Sequence, residues 1–174
     1  MLRRAYQAHG RLSKVYPLLT KCGTSFAVFG MADIASQLIS NRTETISGAR
    51  ALRFATIGGG VMAPLFSAWY SILDPLLPGK RFWYIKVALE CVTIGPMYMG
   101  VVIWSNAVLQ GLPFPEQLEK LRADWWPLYL NALRVVPVYQ SVNFLLVPPE
   151  HRILWLNFCQ FIWNIFVAYS VAAE

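Results

Sequence analysis

Charge is what this sequence has least of. Asp, Glu, Lys and Arg make up 14% of its 174 residues, against ~25% in an ordinary soluble domain, while hydrophobic residues reach 56%. A soluble fold of this size cannot clothe its surface with so few charges, so the composition selects a membrane protein. Acidic residues are the scarcer sign, nine against fifteen basic, and none precedes Asp33. Cysteine and histidine are also sparse. Cys22, Cys91 and Cys159 lie far apart, and there are two histidines. Without a C-x-x-C or a His/Cys cluster, no metal site or cofactor is expected. No Ser-His-Asp or Cys-His arrangement can be assembled either, so no enzyme is expected. The net charge of +6 does not point to nucleic acid. The basic residues sit at the ends of apolar runs, as in membrane proteins, and form no stripe interleaved with aromatics.

What is present is organised around long charge-free runs. A membrane helix needs ~20 mostly apolar residues. Phe54–Leu73 and Ile153–Ala173 meet that test, as does Cys91–Pro115, whose helical part is expected to end near Gly111. A first span must take in Lys21 or Asp33, and a fourth must carry Arg134 near its middle. The reading is therefore an all-α transmembrane bundle of four to five kinked spans in a single membrane domain, 1–174. The approximate spans are 16–40, 51–74, 82–110, 125–147 and 152–173. Pro64, Pro96, Pro127 and Pro137 are expected to kink them, and "PEQLEKLRAD" reads as a separate short surface helix beginning after Pro115. The basic, acid-free segment 1–15 resembles a mitochondrial address. The Lys/Arg bias of the loops puts the N-terminus inside.

Ala55, Gly59 and Ala63 fall four apart on one helical face, a spacing that lets helix backbones approach closely. Asp33 and Arg134 are intramembrane charges, each expected to face a partner or a watery cavity. They read equally well as a mutual ion pair between the first and fourth spans or as the lining of a solute path. Arg53, Gln37, Gln140, Asn143 and Asn164 complete the intramembrane polar set. Lys86 and Glu90, four apart in "WYIKVALECVTIGP", share a helix face. Taken alone they fit an interfacial pair with a snorkelling lysine. "NRT" at 41–43 is a formal glycosylation sequon, relevant only in a secretory compartment.

Motifs along nearly the whole chain resemble the Mpv-seventeen family, which includes the twenty-two-kilodalton peroxisomal membrane protein. "VPVYQSVNFLLVPPEHR" carries Pro137, Gln140, Asn143, Phe144, Pro148 and Arg152, and is followed by Trp163-Asn164. "ADIASQ" retains Asp33 and Gln37. "RALRFATIGGGVMAPLFSAWYSILD" supplies Pro64, Trp69 and Tyr70, while Lys86 and Pro96 match a Lys…Asp-Gln…Pro motif with Glu90 in place of Asp. The resemblance implies a small multi-pass protein of the mitochondrial inner membrane, or alternatively the peroxisomal membrane. Such a protein acts as a weakly selective channel for small solutes or ions, supporting metabolite homeostasis and mitochondrial DNA upkeep. A non-conducting scaffold or accessory subunit of a larger inner-membrane complex is the alternative. Expected partners are the lipid bilayer, small solutes, and a second copy or host complex. Because the family motif repeats a base and an acid at this spacing, Lys86 and Glu90 are expected to face the bundle interior. Lys86 would hold Glu90 ionised, and Glu90 would point toward the polar groups of the first and fourth spans.

Overall fold

The computed structural model describes residues 15–40 and 46–172, with side chains described for 15–39 and 46–163. The basic segment 1–15, apart from its last residue, and the 41–43 sequon lie outside the described residues. Among the described residues there are helices and no strands. They are α1 (Pro17–Ser40), α2 (Gly48–Ile57), a π-helical turn (Gly58–Met62), α3 (Ala63–Leu76), a 3-10 turn (Lys80–Phe82), α4 (Trp83–Val92), α5 (Ile94–Leu109), α6 (Phe114–Leu146), a 3-10 turn (Pro149–His151) and α7 (Arg152–Ala172). Three stretches of the described chain are long and apolar enough to cross a membrane: Pro17–Ile39, Gly48–Leu76 and Lys80–Leu109. The first contains both Lys21 and Asp33. The chain divides into two compact units, 1–67 with 160–174, and 68–159.

In the first unit, α1 packs on α2 and the π-helical turn. The small-residue face is buried: Ala55 is 3% exposed and Ala63 fully enclosed. A Cβ added at Gly59 would stand 2.8 Å from the Cys22 carbonyl oxygen and 2.8 Å from Phe26 Cβ, so the glycine is what lets α1 approach this closely. Pro64 cannot donate a helix hydrogen bond. The π-helical turn comes just before it, with the Ala63 N–H bonded to the Gly58 carbonyl.

In the second unit, α6 packs against α4 and α5. The expected third span is broken at Thr93 (φ −118°, ψ −81°), three residues before Pro96. A proline ring clashes with the carbonyl four residues back, here that of Val92, and leaves it unpaired. Neighbouring side chains serve carbonyls near the break: Tyr129 Oη donates to the Cys91 carbonyl at 2.8 Å, and Trp125 Nε1 to the Pro96 carbonyl at 3.0 Å. α5 ends in a Schellman arrangement. Leu112 N–H bonds the Ala107 carbonyl and Gly111 N–H the Val108 carbonyl, with Gly111 at φ 74°, a region that glycine enters without strain.

The connection expected as a separate surface helix is different. "PEQLEKLRAD" is part of the opening of α6, one helix of 33 residues that also contains all but the last residue of the expected span 125–147 and runs on through Pro127 and Pro137. Pro115 lies in its first turn, where a missing N–H leaves nothing unsatisfied. A fall in charge along a chain changes what surrounds a helix without ending it.

Candidate functional site: a two-layered polar cluster

In the second unit the buried polar side chains gather in two layers. α3 runs toward the 77–79 turn and α4 runs away from it, so Tyr70 and Asp74 on one helix oppose Glu90 and Lys86 on the other. Each pair is spaced by four residues, ~6 Å along the axis. The layer nearer the turn is ionic. Asp74 accepts from Lys86 Nζ at 2.6 Å and from Arg152 Nη1 at 2.5 Å to both carboxylate oxygens. Lys86 is 3% exposed and Arg152 6%. The Phe144 ring lies beside both cations, 5.5 Å from Lys86 Nζ and 5.0 Å from the Arg152 guanidinium carbon. A cation over an aromatic face gains ~0.5–2 kcal/mol, more when desolvated.

The deeper layer is a hydrogen-bonded chain. Gln140 Nε2 donates to Glu90 Oε1 and, at 3.3 Å, to Tyr70 Oη. Asn143 Nδ2 donates to Gln140 Oε1 at 2.7 Å and to Tyr70 Oη at 3.1 Å. Gln140 and Asn143 stand three apart on α6, which puts both amides on the face turned to Tyr70 and Glu90. Tyr70 meets Phe144 edge-on, ring centroids 5.8 Å apart, tying the layers together. The carboxylate oxygen Glu90 Oε2 and the amide oxygen Asn143 Oδ1 are buried without a hydrogen-bond partner. Buried polar atoms left this way cost free energy and recur at sites that meet water, ions or ligands.

The expected Lys86–Glu90 ion pair is corrected here. Both side chains are buried, but Lys86 bonds Asp74 and Glu90 bonds Gln140. The i, i+4 geometry puts the two on one face without obliging them to pair, and Asp74, across the turn, stands 2.6 Å from Lys86 Nζ. Asp33 and Arg134 fall in different units, and each has a hydrogen-bond partner within its own. In the first unit Asp33, 4% exposed, accepts from Arg50 Nε at 2.9 Å and from Gln37 Nε2 at 2.7 Å. Gln37 also clamps Ser47, accepting its N–H at 2.7 Å and donating to its carbonyl at 3.1 Å, and Ser47 caps α2. Arg134 is exposed on α6, 3.3 Å from Asn131 Oδ1.

Arg53 is half-buried on α2, its Nε without a partner. Pro64, Trp69, Pro96, Pro137 and Trp163 are half-buried, and Pro148 is exposed in the α6–α7 turn. Asn164 lies in α7 beyond the described side chains. Sequence reasoning missed Asp74, the hub of the ionic layer. The signal was available: it is the charge that closes the Phe54–Leu73 run, four residues after Tyr70. Asn157, fully buried, and Tyr129 were also missed. Among the described residues no three His, Cys, Asp or Glu side chains gather as a metal site.

Long apolar helices and a buried polar cluster built from α3, α4, α6 and α7 define a polytopic α-helical membrane protein. Comparison with known proteins makes this specific. Residues 107–168 match the Mpv17 / PMP22 family. The chain is 31% identical over 163 residues to Protein sym-1 of Neurospora crassa, covering 88% of this chain and 91% of that one. It is 30% identical over 158 residues to PXMP2/4 family protein 4 of Dictyostelium discoideum, covering 88% and 85%. With the Mitochondrial inner membrane protein Mpv17 of Xenopus laevis it shares 28% identity over 173 residues, covering 97% and 96%. The chain belongs to the Mpv17 / PMP22 family. No solved structure matches it.

Proposed function

We propose that this protein is a weakly selective path for small solutes or ions across the mitochondrial inner membrane. The observation that carries the reading is the two-layered cluster itself: Asp74, Lys86 and Arg152 above Tyr70, Glu90, Gln140 and Asn143, built on helices of which two belong to membrane-crossing stretches. Burying an amide or hydroxyl without a partner costs ~1–3 kcal/mol by mutational data, and an unpaired charge far more. Apolar side chains would fill this core at no such penalty, so the polar groups are kept for something other than packing. The inner-membrane placement follows the printed names of relatives such as the Xenopus protein. Metabolite homeostasis and mitochondrial DNA upkeep are the physiological roles that the family resemblance suggests.

Purified protein in planar bilayers should pass current, and Glu90→Gln, which removes a carboxylate from the deeper layer while keeping its shape, should shift the cation-over-anion preference. Silence across voltage, together with stoichiometric retention in a large assembly on native gels, would establish the non-conducting scaffold instead.

A further inference from the structure

A pocket of about 440 Å³ opens beside the ionic layer, between the α3–α4 turn and the α6–α7 turn. Its volume falls in the ~300–1,000 Å³ range of small-molecule sites. Lys80, Lys86, Arg152 and Asp74 line it, with Phe144 and Pro148 on its apolar wall. Three cations thus meet one carboxylate, and two of those cations are buried. Taking a charge out of water costs several kcal/mol unless it is paired. Asp74 is the one carboxylate on the pocket wall and serves both buried cations; Glu90 lies a layer deeper, hydrogen-bonded to Gln140 rather than ion-paired with either.

The donors are not exhausted either. Lys86 spends one of its three N–H groups on Asp74, Arg152 spends Nη1, and Arg152 Nε is buried with no acceptor. α3 and α6 end at this pocket, and helix C-termini favour cations, but by only ~0.3–1 kcal/mol each. A helix end lends favourable potential but gives the open Arg152 Nε no acceptor. A cationic ligand is disfavoured because both Asp74 oxygens are already taken.

We propose that this pocket binds a phosphate-bearing anion, with Arg152 supplying planar guanidinium donors, Lys86 a point charge, Lys80 the rim, and the Phe144–Pro148 wall receiving the organic part. Guanidinium forks match phosphate oxygens geometrically, and such charge-assisted bonds are about twice as strong as neutral ones. The site stands whether or not the protein conducts. Its phosphate comes either from a soluble metabolite or from a phospholipid headgroup at the membrane surface.

The test uses the full chain in neutral detergent and reads its thermal unfolding against inorganic phosphate, with sodium chloride at matched ionic strength as reference. A saturable rise with phosphate beyond the chloride reference is expected. Lys80 is exposed at the rim, and Lys80→Glu, which removes one charge-assisted contact and adds a repelling carboxylate, should weaken the apparent phosphate affinity, read as the shift relative to its own phosphate-free midpoint, by about tenfold or more. Arg152→Lys, which keeps the charge and removes the fork, should weaken it as well. A second arm compares nanodiscs of phosphatidylcholine alone with nanodiscs containing phosphatidic acid. Greater stabilisation by phosphatidic acid than by free phosphate assigns the headgroup, and the reverse assigns a soluble ligand. If neither phosphate source stabilises the wild type beyond its reference, or if Lys80→Glu leaves the phosphate affinity unchanged, the site does not exist.

Discussion

Lys86 Nζ sits 2.6 Å from Asp74 Oδ1, twelve residues away across the α3–α4 turn, and leaves Glu90 on its own helix to Gln140. Asp74 answers two buried cations at once. Asp74→Ala strands both and is expected to cost ~3–5 kcal/mol, the range for breaking a buried pair. Lys86→Ala leaves Asp74 on Arg152 and should cost less. In double-mutant cycles read by unfolding in detergent, Asp74→Ala and Lys86→Ala should couple by ~1–3 kcal/mol, and Lys86→Ala with Glu90→Ala by less. Equal couplings would restore the one-helix pair.

Gln140 is the joint of the deeper layer, donating to Glu90 and Tyr70 while accepting from Asn143. Gln140→Leu removes all three bonds inside a closed core and should lower stability by ~1–3 kcal/mol or more. Glu90→Gln keeps an oxygen acceptor in the same place and should lower it by less than half as much. Chemical unfolding of both variants compares them directly, and a milder Gln140→Leu would show that the amide chain is dispensable.

Gly59 and Gly60 are neighbours with opposite surroundings. A Cβ on Gly59 meets the Cys22 carbonyl oxygen and Phe26 Cβ, whereas a Cβ on Gly60 meets nothing within 4 Å. Gly59→Ala must push α1 away and is expected to cost ~1–3 kcal/mol, the usual penalty of overpacking. Gly60→Ala should be neutral or slightly stabilising, since alanine favours helix over glycine by up to ~1 kcal/mol. Matched thermal midpoints for the two variants would contradict the close α1 approach.

The break between α4 and α5 is held by a side chain from α6. Tyr129→Phe deletes the hydroxyl that serves the Cys91 carbonyl and should cost ~0.5–1.5 kcal/mol. Hydrogen exchange should rise at the amides of Thr93, Ile94, Gly95 and Met97 more than in the rest of α5. Unchanged exchange there would mean the break needs no such support.

Much of the architecture could be read from the chain because hydropathy is a one-dimensional property. Where charges are missing for twenty residues, a helix must hide its backbone in lipid, and the Phe54–Leu73 run and the all-α class follow. The small face of Ala55, Gly59 and Ala63 was legible for the same reason: its spacing is local. What the sequence concealed was choice of partner. Asp33 found Arg50 seventeen residues on, and Lys86 found Asp74 twelve residues back, both across turns whose geometry no periodicity encodes. Asp74 itself was overlooked because a charge at the end of an apolar run looks like a boundary mark rather than a member of the core. α6 was divided in two because its hydropathy changes midway although its backbone does not.

That undivided helix has a consequence for the protein's profile. Thirty-three residues at ~1.5 Å each extend ~50 Å, while the hydrocarbon core of a bilayer is ~30 Å deep. α6 is thus longer than that hydrocarbon is deep, yet its charged opening is not left free: Phe114 meets Trp104 of α5 at 5.8 Å between ring centroids, and Trp125 donates to the Pro96 carbonyl at 3.0 Å. The same helix bears Gln140 and Asn143 toward its other end. One continuous element therefore joins the seam with α5 to the polar cluster, and a substitution that loosens the Trp125 end acts on the helix that carries both amides.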